Sequence, residues 1–217
     1  MGSAFFGLNV STQGLYTAQT ALDIVNHNIS NAELKGYSRQ YAEIKASRAL
    51  PNSSRGMIGT GAEVLSVKQY RSSYLDNKYW GMSTDLGQYT VKEEMLSQLE
   101  LLLQEPSDSG YATRFADVFD SLQELANDPG NSTVRLNFVD NASSFATYYN
   151  KLGEQLNDYQ KDANFGVKTS VDRINFLATQ IAAVNNQIQN IELTGVSANA
   201  LRDERVVLID ELSTIIN

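Results

Sequence analysis

The 217-residue chain has no cysteine, three prolines and one histidine, and only 19% of it is charged. Without cysteine there is no disulfide framework and no thiolate site. With a single histidine, metal centres built from His and Cys are excluded as well. The prolines, at Pro51, Pro106 and Pro129, are few enough to leave long intervals in which helices run unbroken. The missing charge is replaced by Asn, Gln, Ser and Thr rather than by apolar residues, which make up 42%. The opening residues, MGSAFFGLNVSTQG, have neither a basic start nor a long apolar run. They read as neither a cleaved export signal nor a membrane span, so no membrane insertion is expected.

Negative charge is in excess, and it is unevenly placed. Residues 1–71 hold seven Lys/Arg against four Asp/Glu, whereas residues 72–217 hold ten against twenty-one. An acidic body lacks the basic face that phosphate neutralisation needs, so nucleic acid is not an expected partner.

Three patterns organise the chain. From Ala4 to Ile29 the positions Ala4, Leu8, Ser11, Leu15, Ala18, Leu22, Val25 and Ile29 step by three and four, which predicts a helix with a narrow apolar seam. Gly7 and Gly14 weaken it by about 1 kcal/mol each relative to Ala, so it calls for a partner. Residues 40–71 change period: YAEIKA alternates, PNSSRG breaks, and GAEVLSVKQY is β-rich, which predicts a hairpin or two short strands. From Ser72 the helical step returns through Leu75, Tyr79, Met82, Leu86, Tyr89, Glu93, Leu96 and Leu103, with Pro106 as the stop. A shorter helix carries Phe115, Val118, Leu122 and Leu125, and NDPGNS closes it.

Residues 131–194 contain no proline, and their seam runs from Phe138 to Ile188. Its steps alternate three and four except for 159→163→167→171, a stutter that relaxes supercoiling without ending a helix. One long helix is therefore expected, although Gly166 beside the stutter keeps a two-helix reading open. TGVSAN then turns the chain into a last helix with Leu201, Leu208, Leu212 and Ile215. The fold class that follows is mainly α: an elongated bundle of long coiled-coil-like helices, a small β-hairpin element and a separate N-terminal helix.

No constellation points to catalysis. His27 lies between Asn26 and Asn28 with no nucleophile or carboxylate at useful spacing, so it reads as an exposed or amide-bonded helix-end histidine. The acidic pairs Glu93–Glu94, Asp203–Glu204 and Asp210–Glu211 have polar neighbours and read as solvated helix faces. GMIGTG lacks the Lys-Ser/Thr helix of a phosphate loop and reads as a β turn. Tyr148, Tyr149 and Tyr159 recur at helical spacing, as core or subunit contacts do. Neither an enzyme nor a cofactor is expected.

The segment ALDIVNHNISNAELKGYSRQ, residues 21–40, is the most specific feature. It resembles the N-terminal motif of the bacterial flagellar axial proteins, the rod, hook and hook-associated family. The matching positions are Ala21, Leu22, Asn26, Asn28, Ile29, Ser30, Asn31, Gly36, Tyr37 and Arg39. GTGAEVLSVKQYRSSYLDNKYW, residues 59–80, resembles the family segment that follows, Gly-x-Gly and alternating apolars, then Arg and an aromatic-led helix with an acid. The Tyr-Ser-Arg-Gln version of the motif and the long helices are most similar to the hook-associated members at the hook–filament junction. Rod and hook members carry Asn-Thr in the spacer where this chain has Glu33-Leu34.

The resemblance implies a structural subunit that joins hook to filament by self-assembly. The implied partners are copies of itself, the flagellar hook protein, a neighbouring junction protein and the export apparatus. The implied location is the extracellular flagellum, reached without a cleaved signal. Leu8, Leu15 and Val25, with Leu22 and Ile29, become the inter-helix seam, and Asn26, Asn28 and Asn31 become amides that bond backbone at a joint where Gly36 redirects the chain. The implied division is 1–36 as inner-tube helix and hinge, 37–71 as β-hairpin and linker, and 72–217 as helix bundle. Family members are longer and end in a helix that pairs with the first, so these residues read as an N-terminal part. A hook or distal-rod subunit, or a non-flagellar coiled-coil stalk or signalling protein, stays open; the stalk accounts for the heptads but not for residues 21–40.

Overall fold

A computed structural model of the protein describes residues 4–52, 56–103 and 110–216. The described part is mainly α, with five helices and four short strands. The helix expected over 4–29 is α1, Ala4–Ser30. The alternating region forms β1 (Gln40–Ala46), β2 (Leu50–Asn52), β3 (Gly56–Ile58) and β4 (Ala62–Gln69). Pairing is nested: β1 runs antiparallel to β4, and between them β2 runs antiparallel to β3. A register shift after Glu43 leaves Leu65 without an opposite residue, a bulge of the kind that sharpens twist. Across the outer pair, Lys68 meets Glu43 at 2.7 Å and Lys45 meets Glu63 at 3.3 Å.

Helix α2 is Ser73–Leu103, α3 is Tyr111–Asn127, α4 is Ser132–Glu192 and α5 is Asn199–Ser213. The expected stop at Pro106 lies outside the described residues. Helix α4 settles the choice left by Gly166. Its 61 residues form one helix, roughly 90 Å long at 1.5 Å per residue, and the stutter passes without a break.

The chain packs as two units, Met1–Thr84 with Asn175–Asn217, and Asp85–Ile174. In the first, Val184, Ile188 and Ala198 are buried together, with Leu201 and Leu208 packed against them. Leu177 is wholly enclosed. Helix α1 docks on the outer strand pair, where the Thr17 hydroxyl donates to the Ala62 carbonyl at 2.8 Å. In the second unit, α3 meets α4 through Tyr111, Phe115 and Phe145, whose ring centres lie within about 6 Å of one another. The Arg114 guanidinium stands 5.0 Å over the Tyr148 ring. Tyr148 and Tyr159 donate their hydroxyls to the Leu103 and Met95 carbonyls of α2 at 3.0 Å, and Leu152 is buried.

Burial sets the α2 stripe apart from a packing face and corrects the reading of the α5 acids as solvated. The three/four stripe on α2 is not its packing face, because Leu75, Tyr79, Met82, Leu86, Tyr89 and Leu96 are 54–67% exposed. In the first unit α2 packs through a more polar set. Ser83 is buried, Trp80 Nε1 donates to Asp210 Oδ1 at 2.7 Å, and the Thr84 hydroxyl donates to the Ser213 carbonyl at 2.8 Å. Periodicity marks which residues are apolar, but not whether the chain itself supplies what covers them. Second, the acids of α5 are not all solvated. Asp210 receives Trp80, and Asp203 is buried.

Candidate assembly joint

The joint begins in the last turn of α1. Asn28 faces the chain as it returns toward β1, and its side-chain amide pairs with the Gln40 backbone in both directions. Asn28 Nδ2 donates to the Gln40 carbonyl at 2.9 Å, and the Gln40 N–H donates to Asn28 Oδ1 at 2.8 Å. An amide side chain matches the donor–acceptor set of a neighbouring strand, so Asn28 serves as the first rung of the ladder. Asn31 donates to the His27 carbonyl at 2.8 Å, the same oxygen that its backbone N–H reaches at 3.1 Å. This satisfies a carbonyl that the helix end would leave open. Asn26 is exposed, and its side chain bonds nothing among the described residues.

Tyr37 closes the turn from the other side. Its hydroxyl donates to Asn28 Oδ1 at 2.7 Å and lies 2.9 Å from His27 Nδ1. The phenol has one proton, which goes to Asn28, so the His27 contact requires the tautomer with the proton on Nδ1. His27 is thus a hydrogen-bonding prop beside the Tyr37 ring, centre to centre 5.6 Å. Burial pushes the Tyr37 phenol above its ordinary value, and the negative charge of Asp203 adds to the rise.

Between these clamps the chain turns at Gly36, whose φ is +80°. That region strains any L side chain. A Cβ here would also run into Val207 of α5. Ser38 follows, buried, and its N–H donates to Asp203 Oδ2 at 3.2 Å. Its hydroxyl accepts from Arg71 Nη1 at 2.9 Å, and the Arg71 fork closes on both oxygens of Asp76 at 2.8 and 3.0 Å. Arg39 lies 5.1 Å over the Tyr70 ring, whose other neighbour is Tyr41 at 4.3 Å. Helix α5 also holds the end of β4: Asn199 Nδ2 donates to the Val67 carbonyl at 2.9 Å, and Gln69 Nε2 to the Asn199 carbonyl at 3.0 Å.

Asn28, Asn31, Gly36, Tyr37 and Arg39 are therefore drawn into one cluster. Ala21, Val25, Asn28, Ile29 and Arg39 line an open groove of about 520 Å³ between α1 and β1. Leu22 and Ser30 are exposed, as are Leu8 and Leu15 further up the helix. The largest contribution that sequence reasoning missed is that of α5. Asp203 lies 165 residues from Ser38, and no local pattern announces the pair. Arg71 and Asp76 were in view, five residues apart within the quoted 59–80 segment, but only the fold shows that their fork ends on the joint. Among the described residues no group of acids and histidine could hold a metal, and no helix is long and apolar enough to cross a membrane.

Comparison with known proteins gives the same direction. Residues 96–217 match the family model described as the flagellar hook-associated protein FlgK helical domain. The chain is 32% identical over 223 aligned positions to flagellar hook-associated protein 1 of Bacillus subtilis strain 168, a match covering 100% of this chain and 44% of the relative. It is 32% identical to the protein of that name from Escherichia coli K12 and 31% identical to that from Salmonella typhimurium LT2, each match covering 96% of this chain and 38% of the relative. The chain thus spans less than half the length of these relatives. No solved structure matches it.

Proposed function

Since the chain belongs to the FlgK family of flagellar hook-associated proteins, we propose that it is a structural subunit of the junction between hook and filament, acting by adhesion and without turnover. The observation that carries this is the seam of α1. Leu8, Leu15, Leu22 and Ile29 are 63–70% exposed, while another face of the same helix is occupied by the β element. An apolar stripe left this exposed among the described residues suits a helix that packs among other helices, in the manner of a coiled coil. The joint supports the same reading. Asn28 bonds α1 to the start of β1, and Tyr37 and the turn at Gly36 brace that corner, so that a seam engaged outside the chain transmits load to the body.

The proposed partners are further copies of the chain, the hook protein on one side and a neighbouring junction protein on the other. The proposed location is the extracellular flagellum, reached through the export apparatus without a cleaved signal. Leu22→Asp and Ile29→Asp, introduced into the full-length gene, test the reading. Burying an unpaired carboxylate in an apolar seam is costly. The expected cells build hooks, lack filaments and shed flagellin into the medium. Unimpaired motility in both variants would refute seam burial, and loss of the hook itself would indicate a hook or distal-rod subunit.

A further inference from the structure

We infer that Asp203 of α5 is a positioning residue of the joint: through the Ser38 N–H it fixes the corner between α1 and β1, and with it the direction of α1, relative to α5. The inference rests on the assembly role above, because the direction of α1 matters to function only if α1 packs among other subunits.

Asp203 is 8% exposed, and its Oδ2 accepts from the Ser38 backbone at 3.2 Å. Its Oδ1 is buried and has no hydrogen-bond partner among the described residues. A carboxylate buried against a single amide costs free energy that a surface carboxylate does not. It sits where α5 meets the turn, one helical step before Val207.

The rest of the α5 surface explains why. Asn199, Asp203 and Val207 are spaced by four, and Asp210 follows three later, so they form one stripe along the helix. Each meets a different segment: Asn199 the end of β4, Asp203 and Val207 the turn at Ser38 and Gly36, Asp210 the Trp80 indole of α2. From Ser38 the chain of bonds continues through Arg71 to Asp76 in the first turn of α2. The turn between α1 and β1 is therefore held at two levels. Asn28 and Tyr37 tie it to α1, and Asp203 ties it to the body. The first level fixes the shape of the corner, and the second, with Val207 against Gly36, fixes the corner relative to α5.

Steric packing of Val207 on Gly36 and the charge-assisted bond from Asp203 are separable. Asp203→Asn keeps the size and one acceptor but removes the charge, which halves such a bond in strength; Asp203→Ala removes the acceptor. Glu204→Gln, an exposed neighbour, makes the same change of charge outside the joint. In the 217-residue chain, dipolar couplings of the α1 amides measured against those of the α5 amides report direction. Amide exchange at Ser38 reports the bond, and the NMR titration of Tyr37, assigned with Tyr37→Phe, reports the charge.

The expected result for Asp203→Ala is roughly tenfold faster exchange at Ser38, with α1 couplings that no longer fit one orientation. For Asp203→Asn we expect an intermediate effect and a Tyr37 titration moved toward the ordinary tyrosine value. That shift reports the lost charge, and the couplings report the direction. Glu204→Gln should change none of these. Retained α1 couplings and Ser38 protection in Asp203→Ala would overturn the positioning role and leave the assembly reading to the Leu22 and Ile29 variants. Disordered couplings with normal filaments from full-length Asp203→Ala would show that direction is not used in assembly, and overturn the inference from the other side.

Discussion

Gly36 meets two separate penalties if it gains a side chain. At φ +80° an L residue costs about 1–2 kcal/mol, and the new methyl would occupy the space of Val207, an overpacking cost of about 1–3 kcal/mol. Gly36→Ala should therefore lower the stability of the first unit by about 2–5 kcal/mol in urea unfolding. Gly36→Ala combined with Val207→Ala should recover the steric part and leave the conformational part. Full additivity of the two substitutions would show that they do not meet. The first penalty was legible in the sequence, since a glycine after a polar helix end predicts positive φ. The second was not, because nothing near residue 36 identifies Val207. Asp203 was misread for a related reason: its sequence neighbours are polar, but its burial is decided by a segment 165 residues away. Asn28 shows how far local reading reaches. Its amide and the backbone it bonds lie twelve residues apart, within a single quoted motif.

Helices and strands were read more securely than the faces they use. Helix α4 follows from a long proline-free interval and an apolar step that continues through the stutter. Gly166 inside it has nothing within 4 Å of a would-be Cβ, so the position has room for a methyl group. Gly166→Ala should then stabilise the second unit by about 0.5–1 kcal/mol, visible as a higher urea midpoint with an unchanged slope; a loss of stability would mean that the stutter needs glycine. The turn from α4 to α5 depends on chemistry that spacing does not show. Glu192 accepts both arms of Arg202, at 2.7 and 2.9 Å, and the Ala198 N–H at 3.3 Å. The Arg202 hydrogen bonds hold the Glu192 carboxyl below its usual value despite the opposing effect of burial. A depressed carboxyl contributes stability above the ordinary carboxylate range and loses it as pH falls through its own lowered value. Protection of the amides over residues 193–198, taken relative to the intrinsic exchange rate at each pH, should therefore fall on acidification in that window. Glu192→Gln should remove this dependence and cost about 1 kcal/mol at neutral pH, a figure kept small because the pair is partly exposed.

Across the whole molecule, the apolar residues divide into those the chain covers and those it leaves open. Leu177, Val184, Ile188 and Val206 are buried within the first unit, whereas the α1 seam and the α2 stripe are exposed. Periodicity presents both groups alike, which is why helix positions were legible and their partners were not. The division makes a prediction about what each group is for. Leu177→Ala, which opens a cavity in a closed site, should cost about 2–5 kcal/mol of stability in the isolated chain. Leu22 is largely exposed, so Leu22→Asp removes little that the chain covers for itself and its effect there stays small, about 0.5 kcal/mol from helix propensity. Yet in the cell the order should reverse: Leu22→Asp abolishes filament attachment, while a milder core change such as Leu177→Met supports it. Thermal unfolding of the 217-residue chain, set beside filament counts from the full-length variants, checks both halves. If Leu22→Asp unfolded the isolated chain as severely as Leu177→Ala, the seam would be part of the chain's own core, and its exposure would no longer support assembly.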